Sequence, residues 1–359
     1  MQKEINAKKA ELKKEKTLDF YIQSAIDEIY KKYAEDCTKI STFSTLFAGY
    51  NCEYLELGDV DTIFGPCNFD YYVMGDKKFY IFGEAHGRLD RDYKRYNPRS
   101  TVKTHHPAKT LIFSSFIYSL VTQKSEKNYD LFIEFSLKPT FEDLQTISEA
   151  HNLIRSQFKS CIFPRFRELC THSNLRIHAV DARQSGKVGE DDFIKLFKEI
   201  YTAGDAARTH PGYIKNYIND YAKAMFKYLL NNNPKILKQF GNIPEEIRQK
   251  LKDFLTTEID SIDTTKPLTD FRLNQEISTF IMDIYSLPRL FRNFGMFKRN
   301  SKQFHGNSNN IIYYAGRTHT ERFKKFMNFI GIVPKFSIPS PRRCISYIDI
   351  NRDFLDTFN

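Results

Sequence analysis

Four short apolar runs, each ending in ionisable residues, constrain the fold of this chain more than any other feature. Phe79-Tyr80-Ile81-Phe82 leads into Gly83-Glu84-Ala85-His86, and Asp130-Leu131-Phe132-Ile133 leads into Glu134-Phe135. Leu175 to Val180 leads into Asp181-Ala182-Arg183, and Ile311 to Tyr314 leads into Ala315-Gly316-Arg317-Thr318-His319. Runs of this kind read as strands buried on both faces, as in a parallel sheet. Open α/β sheets place ligands beyond the carboxyl ends of such strands. If the four strands lie parallel and adjacent, Glu84, His86, Glu134, Asp181, Arg183 and His319 line one crevice.

The spacing adds chemistry. Glu84 and His86 are two residues apart, so in an extended chain both side chains point the same way. Gly83 admits a close backbone approach or a sharp turn. The Gly-x-x-His pattern occurs at 83–86 and again at 316–319. Glu134 stands in the middle of Leu131-Phe132-Ile133-Glu134-Phe135 and would lie in the sheet, where a buried unpaired carboxylate is costly, so it must be paired, metal-bound or protonated. Arg183 is its candidate structural partner. His86, His319 and Glu134 are the candidate ligands of a divalent metal. Imidazole and carboxylate donors suit Mn, Co or Zn. Such a metal would lower the pKa of bound water and polarise a carbonyl, which is hydrolytic chemistry. Without metal, one histidine would act as a general base oriented by a carboxylate. Glu84, Glu134, Asp181 and Arg183 are the catalytic candidates, and Arg183 and Arg317 have the fork geometry to hold an anionic substrate group. His178 lies inside a strand and is expected to be a satisfied core histidine.

Taken in order, residues 1–40 form a helical segment with a charged start. Residues 41–190 hold the first part of an α/β core. A hairpin turns at Gly75-Asp76-Lys77, and a long polar loop over 88–109 carries His105 and His106. A helix over 108–122, a strand at 130–135, helix over 140–173 and a strand running to Asp181 follow. This alternation predicts a mainly parallel central sheet flanked by helices. Residues 191–300 offer no strand candidate and read as a helical insertion, with Pro244-Glu245-Glu246 suited to a helix start. Residues 301–359 complete the core, with a helix over 320–329 and late strands at 335–338 and 344–350.

Composition bounds the partners. The 359 residues carry a net charge of +10, but the basic residues are spread along the chain. No Arg-rich arm, zinc-finger spacing or RNP motif is present, which makes nucleic acid an unlikely partner. A small-molecule or peptide substrate fits the site better. The six cysteines include no Cys-x-x-Cys, so reduced thiols are expected. No signal-peptide pattern or long apolar span occurs, so an intracellular, soluble protein is expected. The absence of His-Glu-x-x-His, Gly-x-Ser-x-Gly, Walker A and Gly-x-Gly-x-x-Gly sequences counts against the zincin, serine hydrolase, P-loop and Rossmann classes.

Gly-Glu-x-His at 83–86, Glu134 in the next strand, Asp181-x-Arg183 after a third and Gly316-x-x-His319 late in the chain resemble one superfamily. It unites the TIKI/TraB proteins, the erythromycin-esterase-like enzymes and the ChaN-like haem-binding proteins. The resemblance covers 79–88, 130–135, 175–183 and 311–322. It implies an α/β core with the site at the strand ends, and metal-dependent peptide cleavage or ester cleavage there. It implies Glu84, His86, Glu134 and His319 as the site, with Asp181 and Arg183 in support. It also admits a catalytically idle member that binds a ligand such as haem or a partner protein. TIKI-type proteins are membrane-tethered, and this chain departs from them in lacking such a segment.

Overall fold

The computed structural model describes residues 57–84, 110–134, 154, 158, 161, 172–181, 223–224, 226–262, 271–295, 298–299, 302–303, 307–339 and 347–359. The expected N-terminal helix, His86, His105, His106, Arg183 and nearly all of the expected helix over 140–173 lie outside these residues.

The strands are β1 (Thr62–Phe64), β2 (Asn68–Met74), β3 (Lys77–Glu84), β4 (Thr110–Ile112), β5 (Tyr129–Ile133), β6 (Leu175–Ala179), β7 (Lys298–Arg299), β8 (Lys302–Gln303), β9 (Asn310–Gly316), β10 (Phe336–Ile338) and β11 (Tyr347–Asp349). The helices are α1 (Phe113–Gln123), α2 (Pro234–Leu237), α3 (Glu245–Asp260), α4 (Phe271–Phe291), α5 (Arg317–Phe329) and α6 (Arg352–Asp356).

The central sheet has six strands in the order β10-β2-β3-β9-β5-β6. β3, β9, β5 and β6 run parallel as neighbours, and β2 and β10 extend the sheet antiparallel. The apolar runs are thus adjacent parallel strands, and almost every residue of β5 and β9 is buried. Alternation along the strands divides them between two cores. Phe79, Ile81, Phe132, Ile311 and Tyr313 face α3, α4 and α5. Tyr80, Phe82, Leu131, Ile133, Ile312 and Tyr314 face α1 and α6. Helices therefore cover both faces, as the doubly apolar strands require.

Several boundaries differ from expectation. The hairpin closes through Gly75 and Asp76 alone, since Met74 pairs with Lys77. Gly75 takes φ +56°, which glycine adopts without a Cβ clash. The segment read as one helix from 108 begins as β4, which pairs with β1 in a second sheet ordered β11-β1-β4. Here strand pairing of Thr-Leu-Ile overrides the helical spacing. The helix expected at 320 starts three residues earlier, directly at the end of β9. Glu134 stands one residue past β5, its backbone N–H still donating to the Tyr314 carbonyl at 3.2 Å. Within 191–300, the described residues before β7 are helical or irregular, and α3 and α4 pack directly on the sheet.

The thiol expectation is corrected: Cys67 and Cys161 are each disulfide-bonded. Absence of Cys-x-x-Cys spacing does not exclude pairing at other separations. Among the described residues, no helix is long and apolar enough to cross a membrane.

Candidate functional site

The site is built at the carboxyl ends of β3, β9 and β5. At the end of β9, Gly316 is the N-cap of α5, so the strand turns at once into a helix. That turn places His319 in the first helical turn, over the neighbouring strand end. Gly83 of β3 makes this approach possible. A Cβ there would lie 2.2 Å from Asn68 Oδ1 and 2.7 Å from Thr320 Oγ1, so only glycine lets α5 sit this close.

Glu134 reaches the same corner from β5. Its Oε1 lies 3.1 Å from His319 Nε2, and its Oε2 accepts the Gly316 N–H at 2.6 Å. The carboxylate thus sits at the amino end of α5, where the helix dipole favours negative charge. On the other side of the ring, His319 Nδ1 lies 2.7 Å from Asp283 Oδ1 of α4. Asp283 is completely buried and also accepts a hydrogen bond from Arg322 Nη1, one turn along α5. Arg322 Nε lies 3.4 Å from Glu258 Oε2 of α3, which Lys325 also approaches at 3.4 Å.

His319 is therefore clasped between two carboxylates. Burial alone would lower its pKa, but the charges of Asp283 and Glu134 and the hydrogen bonds to both outweigh burial and raise it to about 9. At neutral pH the ring is an imidazolium donating from both nitrogens. Among the described residues, three carboxylates, Glu134, Asp283 and Glu258, face three cations, His319, Arg322 and Lys325.

Glu84 takes a different position. Its Cα pairs with Gly316, but its side chain accepts a hydrogen bond from the Tyr314 hydroxyl on the face covered by α1. Burial and the Glu84 charge both raise the Tyr314 phenol well above its ordinary value, so it stays protonated and donates. Asp181 is buried just past β6. The structure thus brings Glu134 and His319 into contact and leaves Glu84 on the opposite side of β9. The expectation of a single pocket is corrected for Glu84, because residues one step out of phase along paired strands project to opposite faces. His86 and Arg183 are outside the described residues. Arg317 is half-exposed and lies 3.9 Å from Glu321.

Asp283 and Arg322 were not foreseen. Asp283 had a signal: it is a lone carboxylate inside the apolar helical run Phe280-Ile281-Met282-Asp283-Ile284-Tyr285. Arg322 lies three residues after His319, on the same helix face. His178 is a core histidine, as expected: its Nε2 lies 3.1 Å from Asp130 Oδ1 and its Nδ1 3.1 Å from Arg289 Nη2.

Among the described residues, no group of three or more His, Cys, Asp or Glu side chains is arranged to hold a metal ion. No protein-family model, curated protein or solved structure matches the chain.

Proposed function

We propose that the chain is a hydrolase of ester or peptide bonds, related to the TIKI/TraB and erythromycin-esterase-like proteins, whose site is the Glu134–His319–Asp283 array. The observation that carries this reading is a carboxylate–imidazole–carboxylate line at the ends of adjacent parallel strands, where α/β folds hold substrates.

The donor set supports a divalent metal in part. His319 Nε2 and Glu134 Oε1, 3.1 Å apart, have the separation of two neighbouring ligands that each reach a metal at about 2.1 Å. His86 is the third ligand in this reading. Asp283 holds the Nδ1 proton of His319, so a metal that displaced the Nε2 proton would meet an imidazole oriented by a carboxylate. Gly316 N–H holds Glu134 Oε2, while Oε1 faces His319 Nε2 and would turn to the metal once the Nε2 proton had left. Arg322 fixes Asp283 in turn. When bound, Mn, Co or Zn would polarise the carbonyl and lower the pKa of water.

One observation favours a second reading, a catalytically idle binding protein of the same fold. Both imidazole nitrogens already face carboxylates and, among the described residues, the charges of the network balance, which is what a purely structural clasp requires.

Calorimetry with Mn, Co and Zn on the wild type, His86→Ala and His319→Ala, alongside ester and peptide hydrolysis assays, separates the two. The hydrolase reading expects both substitutions to weaken the same binding event and abolish turnover. A wild type that neither binds metal nor turns over any ester or peptide leaves the idle reading in place.

A further inference from the structure

A second polar cluster lies at the other end of the same sheet, near the amino ends of the parallel strands. Asp130 of β5 receives Arg176 of β6 bidentately, Nε at 2.5 Å and Nη2 at 2.8 Å. His178 donates its Nε2 proton to Asp130, because its Nδ1 accepts from Arg289 Nη2. That tautomer is neutral. Arg289 Nη1 also donates to Gln239 Oε1 at 2.7 Å. Lys77 donates to the Phe291 and Arg292 carbonyls at the end of α4, at 2.9 and 3.2 Å.

The charges here do not balance. Lys77, Arg176 and Arg289 gather near Asp130, with Arg292 beside Arg289, and among the described residues no second carboxylate pairs with them. Asp130 matches Arg176, and the carboxyl end of α4 supplies only about half a negative charge to Lys77, Arg289 and Arg292, so roughly two and a half positive charges stay unmatched among the described residues. The guanidinium carbons of Arg176, Arg289 and Arg292 all stack on the Phe294 ring, at 4.9, 5.3 and 5.3 Å from its centre. Stacking uses the faces of the guanidiniums and leaves their in-plane N–H donors for other partners. Two of these donors are unsatisfied: the buried Nε atoms of Arg289 and Arg292 have no hydrogen-bond partner. The Arg292 side chain makes no hydrogen bond or ion pair among the described residues. Buried donors of this kind call for an acceptor.

We propose that this cluster is a binding site for a phosphate-bearing anion, held chiefly by Arg289 and Arg292 beside Phe294. A phosphate dianion matches the unmatched charge more closely than a monocarboxylate does, and its oxygens match guanidinium forks. Burial lowers the Lys77 amine to about 8, with Asp130 opposing and Arg176 reinforcing that shift; a bound anion would raise it again. The site stands apart from Glu134 and His319, and its existence does not depend on the hydrolase reading.

The test is calorimetric titration of the whole chain with inorganic phosphate, ionic strength being held constant with chloride. Saturable one-site binding is expected, with acetate binding more weakly. Arg292→Gln removes a side chain whose one contact above is with Phe294, so the fold should survive, and phosphate affinity should fall about tenfold or more, the loss of a charge-assisted hydrogen bond. Lys250→Gln, which removes one exposed positive charge on α3, should leave affinity unchanged. No binding beyond that of chloride, acetate binding as tightly as phosphate, unchanged affinity in Arg292→Gln, or an equal loss in both variants would each overturn the proposal.

Discussion

Glu84 ends β3 and Glu134 directly follows β5, the two strands that flank β9, and their side chains leave the sheet on opposite faces. Glu84 meets Tyr314 beneath α1, whereas Glu134 meets His319 beneath α4 and α5. One strand, β9, separates the two carboxylates, and they lie under different helices. Substitutions at the two positions therefore have separable effects.

Glu134→Gln removes one of the two charges that hold His319 as a cation. The His319 pKa should fall from about 9, and the fold should lose about 3–5 kcal/mol, as when one partner of a buried pair is removed. Glu84→Gln keeps an acceptor for Tyr314 and should leave the His319 titration in place. NMR titration of the imidazole in both variants, with urea unfolding, checks the contrast.

The metal-free protein should be most stable near pH 6.5. His319 is raised to about 9, so its contribution is complete below the unfolded value and is lost as pH rises through 9. His178 is lowered to about 4, because burial and the Arg289 and Arg176 charges outweigh its bond to Asp130. Its contribution is complete above the unfolded value and is lost as pH falls through 4. Each limb is on the order of 3 kcal/mol, given an unfolded histidine near 6.5. Urea unfolding across pH 4–9 should give a dome, and His178→Phe should flatten its acid limb only. A flat profile would refute the burial of both rings.

Gly83→Ala should destabilise by about 1–3 kcal/mol, because the new methyl overlaps Asn68 Oδ1 and Thr320 Oγ1 and the core has no room to yield. Adding Thr320→Ala should recover part of the loss. Thermal unfolding of the single and double variants measures the recovery.

Phe354→Ala should cost about 3–5 kcal/mol, the usual range for emptying an aromatic core position. Phe354 of α6 is fully buried, with its ring 4.7 Å from Phe69 and 5.9 Å from Phe116. The adjacent Phe358 stacks on Tyr80 at 4.3 Å, and the Tyr80 hydroxyl donates to the Thr357 carbonyl. Denaturant titration would show whether α6 is an integral part of the core.

The parallel block was legible because its strands are apolar on both faces, a pattern that only a covered sheet satisfies. Glu134 and His319 were legible because ionisable groups interrupt that pattern at the strand ends. The phase of Glu84 was not legible. A single step in register decides which face a side chain takes, and register depends on pairing between segments far apart in sequence. Asp283 was missed for a related reason. Its helix reads as core packing, and only the three-dimensional crossing of α4 over α5 brings its carboxylate to His319.

The central position of β9 has a kinetic consequence. β3 and β5 cannot pair with each other, because the strand between them comes later than either; Tyr314 and Glu84, in contact across that gap, are 230 residues apart. Until β9 arrives, both strands present apolar, unpaired edges, which invite association with other chains. Closing so distant a contact is slow, and a nascent chain would have to wait until β9 had been made, more than two hundred residues after β3. Refolding yield should therefore fall as protein concentration rises, and a synthetic peptide of the β9 sequence should trap the half-built sheet.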